Sequence, residues 1–385
     1  MKICLISNLY EPYTRGGAEN VVKTMAEGLK ARGEDVLVIS TKPKSGLKQK
    51  TEAGIRIYRF KPLNIFYYIN DHKWPFFIRI FWHIFDLFNF FAAKTVKKIL
   101  QKEKPDLIIT HNLKGLSLRV PKVIRDLGIK HFHYLHDVQL SVPSGLLIKG
   151  KEKSFMVQGW PIRKYERLCK KTFGSPEKVI SPSVWLADFY TEKGFFPNSQ
   201  IKIINNPVSG KIKSEPKKSK NKRYLFIGQW EKHKGLDWLI NFWQENEIDS
   251  ELLIVGSGNL KPKDQKNIKI LGRKHGSELE KNFQKVDFLL IPSLCYENSP
   301  TVIPLAYQNG VPVIGAKIGG ISELIESGET GFTFFPGNKK DLYYKFSKAE
   351  DLIDQKFNEF SENCLKKAKE FTEENFFNDF YAFID

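Results

Sequence analysis

IPSLCYENSPTVIPLAYQNGVPVIGAKIGGISELIESGETG, residues 291–331, sets a strand, an acidic loop, a capped helix, a second strand and a diglycine turn end to end. Ser299 is a preferred N-cap residue and Pro300 suits the first helical position. Gly310 suits the left-handed residue after the last turn, and Pro312 prevents continuation. These signals predict a helix of roughly 300 to 309. The backbone N–H groups of Thr301 and Val302, with the positive end of the helix dipole, would make its start a phosphate site. Glu297, just ahead, is unsuited to phosphate and suited to accepting hydrogen bonds from hydroxyls, which a sugar offers. The plainer alternative is a βαβ turn with one exposed Glu.

Outward from this stretch, strand-like runs recur at 2–7, 35–40, 106–109 and 130–135, and again at 223–228, 251–255, 287–291 and 311–314. Strands alternating with helices over 385 residues predict an α/β chain of two doubly wound, Rossmann-like domains, with ligands at the carboxyl ends of the strands. SGKIKSEPKKSKNK, residues 209–222, is polar, Lys-rich and aperiodic, and reads as an exposed loop near an interdomain hinge.

The 291–331 segment resembles the donor-site signature of the retaining glycosyltransferases of family 4, which have the GT-B fold. That signature is a Glu, seven residues and a second Glu. Glu297 matches the first, and Leu305 stands where the family's second Glu holds the nucleotide ribose. Gly319, Gly320 and Glu323 occupy the turn whose backbone approaches the donor, and Asn298, Ser299, Pro300 and Thr301 fall in the same donor-binding stretch. YLFIGQWEKHKGLDWLI, residues 224–240, resembles the strand and loop in which an Arg and a Lys, six and one residues before a Gly, clamp the diphosphate. Lys234 is retained before Gly235, and Gln229 replaces the Arg. Gly16-Gly17 stands where the N-terminal domain brings backbone N–H groups to the phosphates. HYLHDVQL, residues 133–140, resembles the strand ending in a His that lies against the donor sugar, which marks His136 with Asp137 beside it. His111, ending another strand, is a second site candidate. VISPS at 179–183 and NNPV at 205–208 continue the family's order of landmarks.

The resemblance implies two domains facing each other across a cleft. An acceptor domain would span 1–208 plus 370–385, with a last helix near 374–384 crossing back, and a donor domain would span 209–369. It implies transfer with retention from a UDP- or GDP-linked sugar, as co-substrate rather than cofactor, and without a metal. Lys234, Glu297 and His136 would be catalytic, with Gly16, Gly17 and Gln229 on the diphosphate. Two other readings remain: a catalytically weak binding or scaffold protein, suggested by Leu305 and Gln229, and nucleic-acid binding, suggested only by a pI near 9.4.

The net charge is +18. Residues 1–205 hold 35 Lys and Arg against 17 Asp and Glu, whereas residues 206–385 hold 26 of each. All the excess lies on the half expected to receive the acceptor, which suits an anionic or lipid-linked glycan, or an anionic membrane at ~1 kcal/mol per nearby cation. Cys4, Cys169, Cys295 and Cys364 show no paired spacing and fit a reducing cytosol. The N-terminus turns polar at Ser7 and Asn8, too soon for a signal peptide. No Asp-x-Asp metal motif is found, and ENEIDSE at 245–251 lacks the Gly of a calcium loop. The expected location is cytoplasmic, peripheral on the membrane.

WPFFIRIFWHIFDLFNFFAAKTVKKIL, residues 74–100, read at ~100° per residue, places Arg79, His83, Asp86, Lys94 and Lys97 on one stripe and leaves an apolar sector roughly 200° wide. The charges at 79 and 86 argue against a spanning helix. A buried helix, a protein contact and an interfacial helix remain open. Residues 59–74, with Tyr67, Tyr68 and Trp74 among basic residues, are the more exposed candidate for headgroup-level insertion.

Overall fold

The computed structural model describes residues 1–218 and 222–384. They form two compact units. The first comprises 1–146, 153–207 and the chain from Phe377 onward, and the second comprises 147–152 and 208–376.

The first unit is built on eight strands: β1 (Lys2–Ile6), β2 (Asp35–Thr41), β3 (Lys48–Glu52), β4 (Ile55–Phe60), β5 (Leu107–Thr110), β6 (Lys130–Tyr134), β7 (Lys178–Ser181) and β8 (Gln200–Ile203). Their order is β3-β4-β2-β1-β5-β6-β7-β8. All pairings are parallel except β3 with β4. Ile3 to Ile6 are fully buried, as a continuous apolar run requires when helices cover both faces of a parallel sheet. The β3–β4 hairpin has no such run. KQKTE is exposed and Lys-rich, which suits an edge strand, and Ala53 and Gly54 turn it with φ of 48° and 75°.

The second unit holds β9 (Arg223–Trp230), β10 (Glu251–Gly258), β11 (Ile268–Gly272), β12 (Phe288–Ile291), β13 (Val313–Ala316) and β14 (Gly331–Phe334), in the parallel order β11-β10-β9-β12-β13-β14. Both units are doubly wound, as the sequence predicts. The order reverses between β1 and β5 in one sheet and between β9 and β12 in the other, and these reversals open the ligand crevices of such sheets.

Two local expectations need correction. The helix expected near 300–309 runs Val302–Gln308 with Thr301 at its N-cap, so Ser299 and Pro300 lie outside it. Pro304 is the cause: it has no N–H to donate to the Pro300 carbonyl, and the first possible α-helical bond is Leu305 N–H to Thr301 O, at 3.2 Å. The C-terminal reading holds, with Gly310 at φ +65°. Secondly, residues 74–100 form two helices, Phe76–Leu87 and Phe90–Glu103, because Asn89 breaks the run by capping the second through Ala92 N–H at 3.0 Å. Tyr67 is buried, not exposed. Residues 209–218 form a largely exposed loop, as expected, anchored at Lys217, and 219–221 lie outside the described residues. Lys217 is half-buried and donates to the carbonyls of Phe283 (2.9 Å) and Val286, at the end of helix Gly276–Lys285, where a cation meets the negative end of the dipole.

The last helix, Glu373–Ile384, packs into the first unit from Phe377 onward. A Cβ on Gly28 would lie 2.1 Å from the Phe377 ring, and the Arg32 guanidinium sits 3.9 Å from that ring's centroid. Lys130 and Lys178 donate to the carbonyls of Ile384 and Phe383.

Candidate functional site

At the β9/β12 reversal of the second unit, the loops after the two strands meet. Gly235 follows the short turn Lys232–Lys234 with φ +76°, and a Cβ there would lie 2.0 Å from the Pro292 carbonyl oxygen. A residue without a side chain is therefore needed for the loops to close, and Leu294 N–H donates to His233 O at 2.9 Å across the join. The closure brings Lys234 Nζ to 2.7 Å from Glu297 Oε2, while Ser293 Oγ donates to Oε1 of the same carboxylate. Burial alone would raise the Glu297 pKa, but the Lys234 charge and both hydrogen bonds hold it below the ordinary carboxylate value. Burial works against the Lys234 ammonium too, and Glu297 more than offsets it, raising that pKa. Both groups are therefore ionised at neutral pH.

The diglycine turn supports Glu297 from behind. Gly319, at φ +55°, would put a Cβ 2.4 Å from the Glu297 carbonyl oxygen, and Gly320 N–H donates to that oxygen at 2.7 Å. Gly320's amide is thus engaged in placing Glu297. Asn298, Ser299, Pro300 and Thr301 follow Glu297 in the loop before the Val302–Gln308 helix, Glu323 is exposed on the short helix Ile321–Leu324, and Gln229 is the next-to-last residue of β9, five residues before Lys234. Leu305 packs partly buried against the core. Residues 147–152 were unforeseen here: Ile148 bridges Cys295 in antiparallel fashion, and Tyr296 Oη donates to Glu152 Oε1 at 2.9 Å. Ser293 also escaped the sequence reading, although it stands four residues before Glu297.

In the first unit, the β1/β5 reversal is walled by Asn8, whose backbone N–H donates to Asn112 O (2.7 Å) and whose amide donates to Lys114 O (2.7 Å). His111 follows β5 and His136 follows β6, and their rings meet with Nδ1 of His111 2.9 Å from Nε2 of His136. One ring donates to the other, so the pair fixes both orientations. His136 also stacks on Tyr134, with centroids 4.8 Å apart. Burial holds both rings neutral, lowering His136 to about 3 and His111 well below the usual imidazole value. Beside them Asp137 accepts from Gln139 N–H at 2.8 Å, and burial raises its pKa to about 6.

Gly16 and Gly17 open helix Gly17–Ala31 after β1, as read, but the Gly16 amide is occupied. It donates to Glu19 Oε2 at 2.8 Å, and Arg15 N–H approaches the same oxygen. Glu19 was overlooked, although a Glu at the third helical position is the spacing that reaches back to an N-cap amide. Lys114 is buried nearby, donating to Ser144 O at 3.3 Å and facing the Tyr68 ring, and Arg15 pairs with Asp71 at 2.9 Å. Among the described residues no group of three or more His, Cys, Asp or Glu is placed to hold a metal ion. All four cysteines are free and buried.

Residues 15–209 match the profile of Glycosyltransferase Family 4, and residues 221–349 match Glycosyl transferases group 1. The chain belongs to glycosyltransferase family 4. A relative 30% identical over 84% of this chain and 87% of its own length is an uncharacterised 42.6 kDa protein in the cps region of Klebsiella pneumoniae. An uncharacterised glycosyltransferase of Methanocaldococcus jannaschii is 25% identical over 95% of this chain and 93% of its own. Among solved structures, sucrose-phosphate synthase from Thermosynechococcus elongatus superposes with a TM-score of 0.73 at 16% identity, covering 100% of this chain and 98% of that one. The Anabaena protein HepE, solved with UDP, superposes at 0.68 and 18% identity, covering 100% and 99%. These likenesses establish the GT-B fold. In this family 4 glycosyltransferase, the β9/β12 reversal therefore presents an ionised carboxylate and an ammonium held together, one able to accept hydroxyl protons and the other able to meet anionic oxygens.

Proposed function

We propose that this glycosyltransferase moves a sugar, with retention at its anomeric carbon, from a UDP- or GDP-linked donor to a cell-envelope acceptor that is an anionic or lipid-linked glycan. The observation that carries the reading is the Lys234–Glu297 pair at the β9/β12 reversal. Lys234 spends one N–H on Glu297 and keeps two for the donor's diphosphate, and the amides of Thr301 and Val302 add to the charge stabilisation. Glu297 and His136 orient the sugar's hydroxyls. The anomeric C–O(phosphate) bond breaks while the acceptor oxygen bonds the same face. The acceptor's hydroxyl proton passes to the departing phosphate oxygen, so neither a side-chain nucleophile nor a metal takes part. The cps-region relative and the HepE complexes, one of which contains UDP-glucose, support envelope glycan and uridine donor respectively. Release of nucleotide from a panel of UDP, GDP and ADP sugars tests the reading. Turnover by the wild type, lost in Lys234→Ala, is expected. A folded wild type with no turnover on any donor would favour the scaffold role, to which Gln229 and Leu305 point.

A further inference from the structure

We propose that the outward face of helix Phe76–Leu87, continued by Phe88, Phe90 and Phe91, docks this enzyme on an anionic lipid bilayer, its rings seated at headgroup level. The inference takes its purpose from the proposed envelope acceptor but does not depend on the donor chemistry.

The helix inverts the usual amphipathic order of a protein surface. Phe77, Ile80, Phe81, Ile84, Phe85 and Phe88 lie in one sector roughly 140° wide, and each is between 44% and 61% exposed. Phe90 and Phe91 beyond it are 58% and 68% exposed. The protein-facing side carries Trp82, Asp86, His83 and Arg79, of which Trp82 and Asp86 are buried. That side is fixed by long-range bonds. The Trp82 indole N–H donates to Phe66 O at 2.8 Å, Asp86 Oδ2 accepts from Gly115 N–H at 2.8 Å, and Asn89 donates to Leu63 O at 2.9 Å. Turning the helix to hide its phenylalanines would break all three. The sequence's contiguous aromatic run is therefore held outward, and an apolar surface of this extent marks an interaction site.

Charge selects the occupant. Among the described side chains of residues 61–98, every exposed charged one is basic: Lys61, Lys73, Lys94, Lys97 and Lys98. The two acids in that span are withdrawn, Asp86 by burial and Asp71 into its pair with Arg15. A second copy of this chain would oppose lysines to lysines, whereas an anionic bilayer offers both counter-charge and an apolar interior. The helix is roughly 18 Å long, too short to cross a bilayer of ~30 Å, so it lies in the interface. No helix of the described residues is long and apolar enough to span.

The test is co-sedimentation of the full chain with vesicles, without any sugar nucleotide, so its result is independent of catalysis. Wild type should bind vesicles containing phosphatidylglycerol, and bind phosphatidylcholine alone far less. Phe77→Ser/Phe81→Ser/Phe85→Ser should weaken anionic binding by roughly 100-fold with its melting temperature kept, because these side chains are already in water in the free protein. Lys94→Gln/Lys97→Gln/Lys98→Gln should reduce the salt dependence. Unchanged binding by the serine variant, equal binding to both vesicle types, or a wild-type dimer that the serine variant dissociates while neither binds vesicles would overturn the proposal.

Discussion

Lys234 and Glu297, 63 residues apart in sequence, are joined by a 2.7 Å ion pair that ties the loop after β9 to the loop after β12. Each is under a quarter exposed, so removing one leaves the other's charge poorly solvated. Lys234→Ala should lower kcat/KM for transfer by about 100-fold or more and cost on the order of 1–3 kcal/mol of stability. Glu297→Gln should lose comparable activity but less stability, because its amide still accepts from Ser293. Lys234→Ala/Glu297→Ala should be less destabilised than Lys234→Ala and Glu297→Ala combined. Thermal melts and donor kinetics on the wild type and these four variants check this, and strictly additive stability losses would refute the coupling.

The glycines behind the pair give a second expectation. Gly235→Ala and Gly319→Ala each place a methyl group within 2.4 Å of a backbone oxygen at positive φ, and should cost roughly 2 kcal/mol or more. Gly33, at φ +88° with open space around it, isolates the conformational part: Gly33→Ala should cost only about 1 kcal/mol. Gly319→Ala should additionally raise the donor KM, by displacing Glu297. Equal losses at Gly33 and Gly235 would show that the close approaches are not limiting.

Acid and base act on different buried groups of the first unit. Burial lowers His83, His131 and His136 to about 3. Their folded pKa lies below the unfolded one, so the stability they contribute is complete above pH ~6.5 and is lost as pH falls from there toward about 3. Burial raises Asp86 to about 7, with Gly115 N–H and Lys114 only partly opposing, and leaves its Oδ1 without a partner. The sign is opposite: its contribution is greatest below pH ~3.9 and declines as pH rises through 7. Asp86→Asn should therefore gain stability relative to wild type as pH rises from about 4 to 8, by up to roughly 4 kcal/mol. Chemical denaturation across that range measures it, and a difference independent of pH would contradict the assignment.

Leu305 stands where the family's second Glu holds a ribose, and Gln229 where its Arg meets the diphosphate. Restoring them by Leu305→Glu and Gln229→Arg should each lower the donor KM, by about tenfold for a charge-assisted contact. Steady-state kinetics over the donor panel provide the readout. No change for Leu305→Glu would show that this chain grips the ribose elsewhere.

The parallel strands were legible in the sequence because strands covered on both faces must be continuously apolar, and Ile3–Ile6 and Leu289–Ile291 are. The left-handed Gly310 was legible because its conformation is a local property. The β3–β4 hairpin was not, since an exposed Lys-rich edge leaves no apolar pattern. The start of the Val302–Gln308 helix is set by Pro304, whose missing N–H is a local property that outweighs the capping signal of Ser299 and Pro300.

What sequence alone determined was therefore the fold class and the two doubly wound units, since these follow from short-range preferences and from motifs in fixed order. What tertiary structure alone decided was partnership and direction. Nothing in the spacing shows that His111 and His136 would share a proton, or that Lys234 would reach Glu297. The helical period located the apolar sector of residues 76–88, but only the distant Phe66 carbonyl and Gly115 amide turned that sector outward, because periodicity fixes angles around an axis and leaves open which side meets the protein.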